Sequence, residues 1–292
     1  MIKSKEFNEY ILLDAGDKEK LESWNGVVLR RPDPMAIWPK TNPKIWDKCD
    51  AYYHRSNKGG GNWEFKRPLK EYWTLNFRDL TFKVSPTNFK HTGLFPEQAA
   101  NWEFIYDQIA EASKKREIKV LNLFAYTGAA TMVASKAGAS EVVHVDASKG
   151  MVEWAKENAQ LSNLNKNVIR YIVDDCLKFM KREVRRGHKY DGIIMDPPSY
   201  GRGPNGELFR FEDQINELLA EAQQLLSDDP LFLIVNSYTT GYSSTVLTNV
   251  MNAHLSAFAN KGYVISDELG IKVTDKELYL PCGLTTRWVH ND

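Results

Sequence analysis

The chain has 292 residues, 42% of them hydrophobic and 26% charged, with 38 basic and 38 acidic side chains. A chain of this size and make-up buries a sizeable core without a disulfide or metal staple. The balanced charge excludes a strongly basic nucleic-acid coat protein, although a local basic groove stays open. Three widely spaced cysteines (Cys49, Cys176 and Cys282), no CxxC pair and six scattered histidines argue against a disulfide scaffold and against a metal site. The start, Met1 to Glu6, has no apolar leader, and the longest aliphatic run, Leu231 to Val235, is far too short for a bilayer. The expectation is a cytoplasmic protein with no membrane partner.

The first 90 residues are set apart by composition. Trp24, Trp38, Trp46, Trp63 and Trp73 fall there, with Pro32, Pro34, Pro39, Pro43 and the triplet Gly59-Gly60-Gly61. Two alternating runs, Trp73 to Phe77 and Leu80 to Val84, flank Arg78-Asp79 and predict a β-hairpin. Residues 1–90 therefore read as a small strand-rich substrate-recognition domain.

Helices and strands alternate afterwards. Trp102, Ile105, Ile109 and Ala112 share one helical face. Strands are predicted at Lys119 to Phe124, Glu141 to Asp146, Val168 to Val173, Gly192 to Asp196 and Leu231 to Asn236. Met151, Trp154, Ala155 and Asn158 mark one intervening helix; Ile215, Leu218, Leu219, Ala222 and Leu226 mark another. Gly262 to Ser266 and Thr285 to Val289 suit a closing antiparallel pair. Such alternation predicts a parallel Rossmann-like sheet covered on both faces over residues 91–292. Ligands bind such sheets at the carboxyl ends of the strands, where the strand order reverses.

Three strand ends carry chemistry. The first strand runs into Phe124-Ala125-Tyr126-Thr127-Gly128, where Gly128 permits close backbone approach to a ligand. Asp146 ends the next strand, 18 residues after Gly128, where a carboxylate can accept both hydroxyls of a ribose. A single glycine where a dinucleotide cradle needs three points to a nucleoside cofactor without pyrophosphate, S-adenosyl-L-methionine being the obvious one. An ordinary βαβ unit is the alternative. Asp174-Asp175 closes the third strand and suits both an adenine amino group and the cap of the following helix. Asp196-Pro197-Pro198-Ser199-Tyr200 closes the fourth. Its stiff backbone and carboxylate can receive hydrogen bonds from a substrate base, and Tyr200 can stack on that base.

Together these segments resemble class I S-adenosylmethionine-dependent methyltransferases. More narrowly, they resemble the large-subunit ribosomal RNA methyltransferases that include the cytosine-C5 enzymes. The matching signatures are His91 to Gln98, Asn122 to Gly128, Val145-Asp146-Ala147-Ser148, Asp174-Asp175 and Asp196 to Tyr200. The resemblance implies that Thr92, Phe95 and Gln98 line the cofactor site and that Asp146 holds its ribose. It also implies that Asp175 touches the adenine and that Asp196 lies beside the methyl group. Three departures stand out. No PUA-type module is visible at the front. Ala99, Ala100 and Trp102 stand where arginines usually follow the glutamine. Asn236-Ser237-Tyr238 stands where the C5 enzymes carry a cysteine.

The sequence thus predicts a methyltransferase acting on a nucleic-acid base, and the resemblance implies that the base belongs to 23S ribosomal RNA. Asp196, Pro197 and Tyr200 are its catalytic candidates, and a homodimer is compatible with it. The competing readings are methylation of a small molecule or protein, and a non-catalytic RNA-binding protein that keeps the fold. Basic residues at Lys181 to Lys189, and aromatic and basic residues at Tyr52 to Arg55 and Trp63 to Arg67, are candidate RNA contacts.

Overall fold

The structure, a computed structural model, describes residues 1–56, 60–202 and 208–291. Gly59 of the glycine triplet therefore lies outside the described residues. The chain divides into two compact units, Ile2–Ala100 with Leu269–Cys282, and Asn101–Glu268 with Gly283–Asp292 and Met1.

The N-terminal unit holds a five-stranded sheet in the order β1 (Tyr10–Gly16), β2 (Glu19–Trp24), β3 (Val27–Pro32), β4 (Ala51–Arg55) and β5 (Gly61–Phe65). All pairs are antiparallel except β3 with β4. Asp17-Lys18 and Asn25-Gly26 make the first two turns, each with positive φ at both residues. That mirror-image turn matches the right-handed twist of the strands it joins. The expected hairpin forms as β6 (Trp73–Phe77) and β7 (Leu80–Val84), with Phe77 opposite Leu80 and Arg78 at φ 50°. Wholly buried Leu12, Leu21, Trp24 and Leu29 belong to the core of this unit. A charged pair is buried there too. Arg31 donates to both oxygens of Glu22 at 2.6 and 2.7 Å, and the Tyr10 hydroxyl donates to Glu22 Oε1 at 2.7 Å. Burial alone would raise the Glu22 pKa, but Arg31 and Lys20 beside it hold the carboxyl down at about 2. The chain returns to this unit at its far end: Val273 bridges Leu12, and Leu269 bridges Ile2.

The second unit carries the strand–helix alternation. After α1 (Ala99–Ala112) come β8 (Lys119–Leu123), α2 (Ala129–Lys136), β9 (Glu141–Asp146), α3 (Lys149–Leu161), β10 (Ile169–Val173), α4 (Cys176–Arg185) and β11 (Gly192–Met195). A short hairpin of β12 (Tyr200–Arg202) and β13 (Leu208–Arg210) precedes α5 (Phe211–Leu225), β14 (Phe232–Ser237), α6 (Ser244–His254), β15 (Gly262–Lys272) and β16 (Tyr279–His290). The sheet order is β10-β9-β8-β11-β14-β16-β15. The five strands from β10 to β14 are parallel, and β16 runs antiparallel to β14. This is the expected Rossmann-like class I architecture, and the order reverses between β8 and β11. The closing pair is longer than Gly262 to Ser266 and Thr285 to Val289, because β15 and β16 run on into the segment that joins the N-terminal unit.

Apolar side chains from β8, β9, β11 and β14 make one core with Phe179 and Met180 of α4 and Leu218, Leu219 and Ala222 of α5. Each fully buried side chain of this size contributes about 1.5–3 kcal/mol. Asn101 of α1 ties the helix to two strands. It donates to Asn236 Oδ1 at 3.0 Å, and its own Oδ1 accepts from Arg287 Nη2 at 2.6 Å. Among the described residues no helix is long and apolar enough to cross a membrane.

Candidate active site

The segment after β8 is strained. Phe124 and Tyr126 both sit in the left-handed region, at φ 54° and 51°. Non-glycine residues there cost of order 1–3 kcal/mol each and persist only when their surroundings over-determine them. Here they do. The Phe124 N–H donates to Cys176 Sγ at 3.2 Å, and the Ala125 N–H to the Val145 carbonyl at 3.1 Å. Tyr126 N–H donates to Asp146 Oδ2 at 2.8 Å, and Asn158 Nδ2 donates to the Thr127 carbonyl at 2.8 Å. Partners from β9, α3 and α4 thus fix every residue from Phe124 to Thr127. Gly128 follows at φ 83°, and a Cβ there would stand 2.9 Å from Ala155 Cβ. Packing against α3 alone therefore demands glycine, a reason beyond the ligand approach read from the sequence.

Asp146 is held from two sides. Its second oxygen accepts the Ser148 N–H at 2.8 Å. Burial pushes its carboxyl above the usual carboxylate range, while these two backbone donors pull it back. Each oxygen spends one lone pair on the protein and keeps another. Two hydroxyls of a ribose fit what remains, and Ala147 and Ser148 continue the turn into α3. The chain therefore suits the nucleoside part of S-adenosylmethionine. Beneath the loop, Asn122 Nδ2 donates to Thr131 Oγ1, and Thr131 bonds His144 Nδ1, both at 2.9 Å. Burial lowers the His144 pKa to about 3, so the ring is neutral. The sequence reading missed this buried chain, since one histidine in an apolar strand names no partner.

Asp174 and Asp175 divide their work. Asp175 Oδ1 caps α4 by accepting the Lys178 N–H at 2.8 Å. Asp174 accepts the Asp175 N–H at 2.8 Å through one oxygen and pairs with Arg182 through the other. Both Asp174 oxygens thus accept one bond each from the protein, whereas Asp175 spends one oxygen on the cap, so Asp175 keeps the more open acceptor for an adenine amino group, with Asp174 beside it as the second candidate.

Asp196 follows β11 at the reversal point, its N–H reaching the Leu123 carbonyl at 3.4 Å. Pro197 is buried, and Tyr200 is 58% exposed at the start of β12. On β13, Phe209 packs edge-on against Phe124 with centroids 5.4 Å apart, which seats the hairpin against the strained loop. No sequence pattern marked Phe209. Ser199 is engaged by Thr239, whose hydroxyl donates to its oxygen at 2.9 Å.

One unit therefore brings together Phe124 to Gly128, Asp146 to Ser148, Asp174-Asp175 and Asp196 to Tyr200. Thr92, Phe95 and Gln98 belong to the N-terminal unit. There Thr92 is wholly buried, and the Phe95 ring lies 5.4 Å from that of His91. The basic run on α4 is largely spent on internal pairs: Lys181 with Glu217, Arg182 with Asp174, and Arg186 with Glu183.

A family model described as S-adenosylmethionine-dependent methyltransferase matches residues 49–243. The chain belongs to this methyltransferase family. It is 37% identical to the S-adenosylmethionine-dependent methyltransferase from Agrobacterium tumefaciens, whose crystal structure superimposes with a TM-score of 0.92 over 99% of this chain and 92% of that one. A more distant structure, SMU.776 in complex with SAH, shares the fold at 17% identity and a TM-score of 0.73, covering 98% of this chain and 76% of that one. Among curated proteins, the chain is 30% identical over 201 residues to ribosomal RNA large subunit methyltransferase K/L of Colwellia psychrerythraea, covering 69% of this chain and 27% of the relative. It is 35% identical over 181 residues to the protein of the same name from Shewanella frigidimarina, covering 62% of this chain and 23% of the relative. The chain thus spans about a quarter of the length of these two relatives.

Proposed function

We propose that this methyltransferase transfers a methyl group from S-adenosylmethionine to a base of ribosomal RNA. The observation that carries the reading is the Asp196-Pro197 tip, set at the strand-order reversal beside the over-determined Phe124–Gly128 loop. The relatives' names supply the substrate class. S-adenosylmethionine brings an already activated methyl group, so the protein's task is alignment and exclusion of water. Asp146 holds the ribose, and Asp175 receives the adenine amino group. Asp196 and the Pro197 carbonyl orient the attacking atom of the base. Tyr200 stacks on that base once it is extruded from its helix.

A ring or exocyclic nitrogen is the favoured acceptor. Methylation at cytosine C5 requires a cysteine adduct at C6. Cys176 is buried, accepts the Phe124 N–H, and burial pushes its thiol far above the usual range; Cys282, the remaining candidate, donates to the Leu280 carbonyl, and burial pushes its thiol up as well. Asn236 bonds Asn101, and Ser199 bonds Thr239. No observation carries the homodimer, and the reading is of a single chain. The test is transfer of labelled methyl from S-adenosylmethionine to ribosomal RNA from a deletion strain, with the modified base mapped. Label confined to protein or small molecules would overturn the substrate class.

A further inference from the structure

The N-terminal unit presents an aromatic strip that the methyl-transfer site does not use. Residues two apart on a strand share a face. On β5, the sheet's edge strand, Trp63 and Phe65 therefore face the same way, and Trp63 lies opposite Tyr53 of β4. Trp63 packs edge-on against the buried Tyr53 ring at 5.3 Å and stacks with Phe65 at 6.4 Å. Its indole N–H is fixed by the carbonyls of Thr87, at 2.9 Å, and Phe89, at 3.2 Å. The indole is held in place by the Phe89 backbone and stacked by the Phe65 ring, and both phenylalanines are exposed, Phe65 at 51% and Phe89 at 62%. Neighbouring exposed phenylalanines mark a binding surface more often than a core.

The stretch that carries the strip is rich in cations. Between positions 55 and 70 the described residues include Arg55, Lys66, Arg67 and Lys70 against one carboxylate, Glu64, in a chain of zero net charge. Glu64 alternates to the opposite face of β5 and pairs with His54 at 2.7 Å. Arg67 is taken by Asp50. Arg55, Lys66 and Lys70 are exposed, and among the described residues none of them has an ion-pair partner. Lys90 follows Phe89 directly; its pKa is lowered chiefly by burial, then by Lys20, Arg31 and Arg55, with Asp33 opposing.

We propose that this strip binds single-stranded RNA, with bases stacked on Phe65 and Phe89 and phosphates held by Arg55, Lys70 and Lys90. Rigid aromatic platforms flanked by cations bind single strands with little regard to sequence, because every base offers a flat face. The inference rests on the RNA reading above and adds which residues of the N-terminal unit hold the strand.

The test is fluorescence anisotropy of a labelled 12-nucleotide oligouridine with the full chain. Phe65→Ala with Phe89→Ala should weaken binding at least tenfold, with S-adenosylmethionine affinity unchanged by calorimetry. Arg55→Glu with Lys70→Glu, both at exposed positions, should also weaken it. The pair should flatten the salt slope, which three phosphate contacts on a single strand set at roughly −2. Affinities within twofold of wild type for both double variants would overturn the proposal. So would polyglutamate competing as well as RNA whether or not the phenylalanines are present, since that is charge attraction without stacking. Methyl transfer to ribosomal RNA, measured on the same proteins, separates the two readings. Transfer by wild type with unaltered RNA affinity in the variants removes the strip and leaves the substrate. Oligouridine binding lost in the variants, with no RNA methylated by wild type, leaves the strip and removes the substrate.

Discussion

Replacing Asp146 by alanine tests the cofactor site most directly. The carboxylate accepts the Tyr126 and Ser148 N–H groups, both at 2.8 Å, and keeps one lone pair per oxygen for the ribose hydroxyls. Hydrogen bonds to a charged acceptor are worth about 1.5–3 kcal/mol each, so losing the two to ribose removes about 3–6 kcal/mol. At tenfold per 1.4 kcal/mol, affinity should fall by between about a hundredfold and ten-thousandfold. Asparagine should not rescue it, because its amide nitrogen would face one of two backbone donors. Protonation removes the same acceptors. Burial raises the Asp146 pKa, so binding should begin to weaken on acidification at a higher pH than an ordinary aspartate would give. Isothermal titration calorimetry with S-adenosylmethionine, across pH, reads both effects. Affinity of Asp146→Ala within threefold of wild type would refute the assignment of the ribose to this residue.

Gly128→Ala combines a left-handed φ with a Cβ 2.9 Å from Ala155, so it should destabilise by about 2–4 kcal/mol, visible as a Tm at least 5 °C lower in a thermal melt. Tyr200→Ala and Asp196→Ala should each lower kcat at least tenfold while the calorimetric Kd for S-adenosylmethionine changes less than threefold. Wild-type turnover in both would reduce the motif to a strand terminator. Arg31→Met leaves Glu22 buried beside Tyr10 with only Lys20, at 3.6 Å, as counter-charge, and should cost about 3 kcal/mol by urea titration. In the wild type the Glu22 pKa is depressed from 4.5 to about 2, so its contribution is complete above pH 4.5 and is lost as pH falls from there toward 2. Glu22→Gln should flatten that limb of the stability curve.

Local periodicity made the second unit legible. Apolar strands end in Gly, Asp or Pro, and the helices between them bury one stripe, so element order followed directly. Bounds moved by a residue where the pattern runs past the ladder, as at Val168, which precedes β10, and Asp196, which follows β11. The hairpin at Arg78-Asp79 was legible from alternation alone. The five-stranded sheet was not, although Asn25-Gly26 is a strong hairpin signal. Its companion turn, Asp17-Lys18, contains no glycine and gave no warning. In the site, the acidic strand ends could be read, because position along a parallel sheet assigns them a task. The anchors of the loop could not. Cys176 Sγ and Asn158 work through partners 52 and 31 positions away, and no spacing rule reaches that far.

During synthesis, the N-terminal sheet leaves the ribosome first and is finished last. The Thr274 backbone N–H that meets the Leu12 carbonyl emerges 262 positions later. At roughly 5–20 residues per second, β1 waits on the order of tens of seconds with that edge open. Nascent chains arrested before residue 269 should therefore keep the first module protease-sensitive however well the later helices have formed. Removing the last twenty residues should damage a module that begins at the opposite terminus.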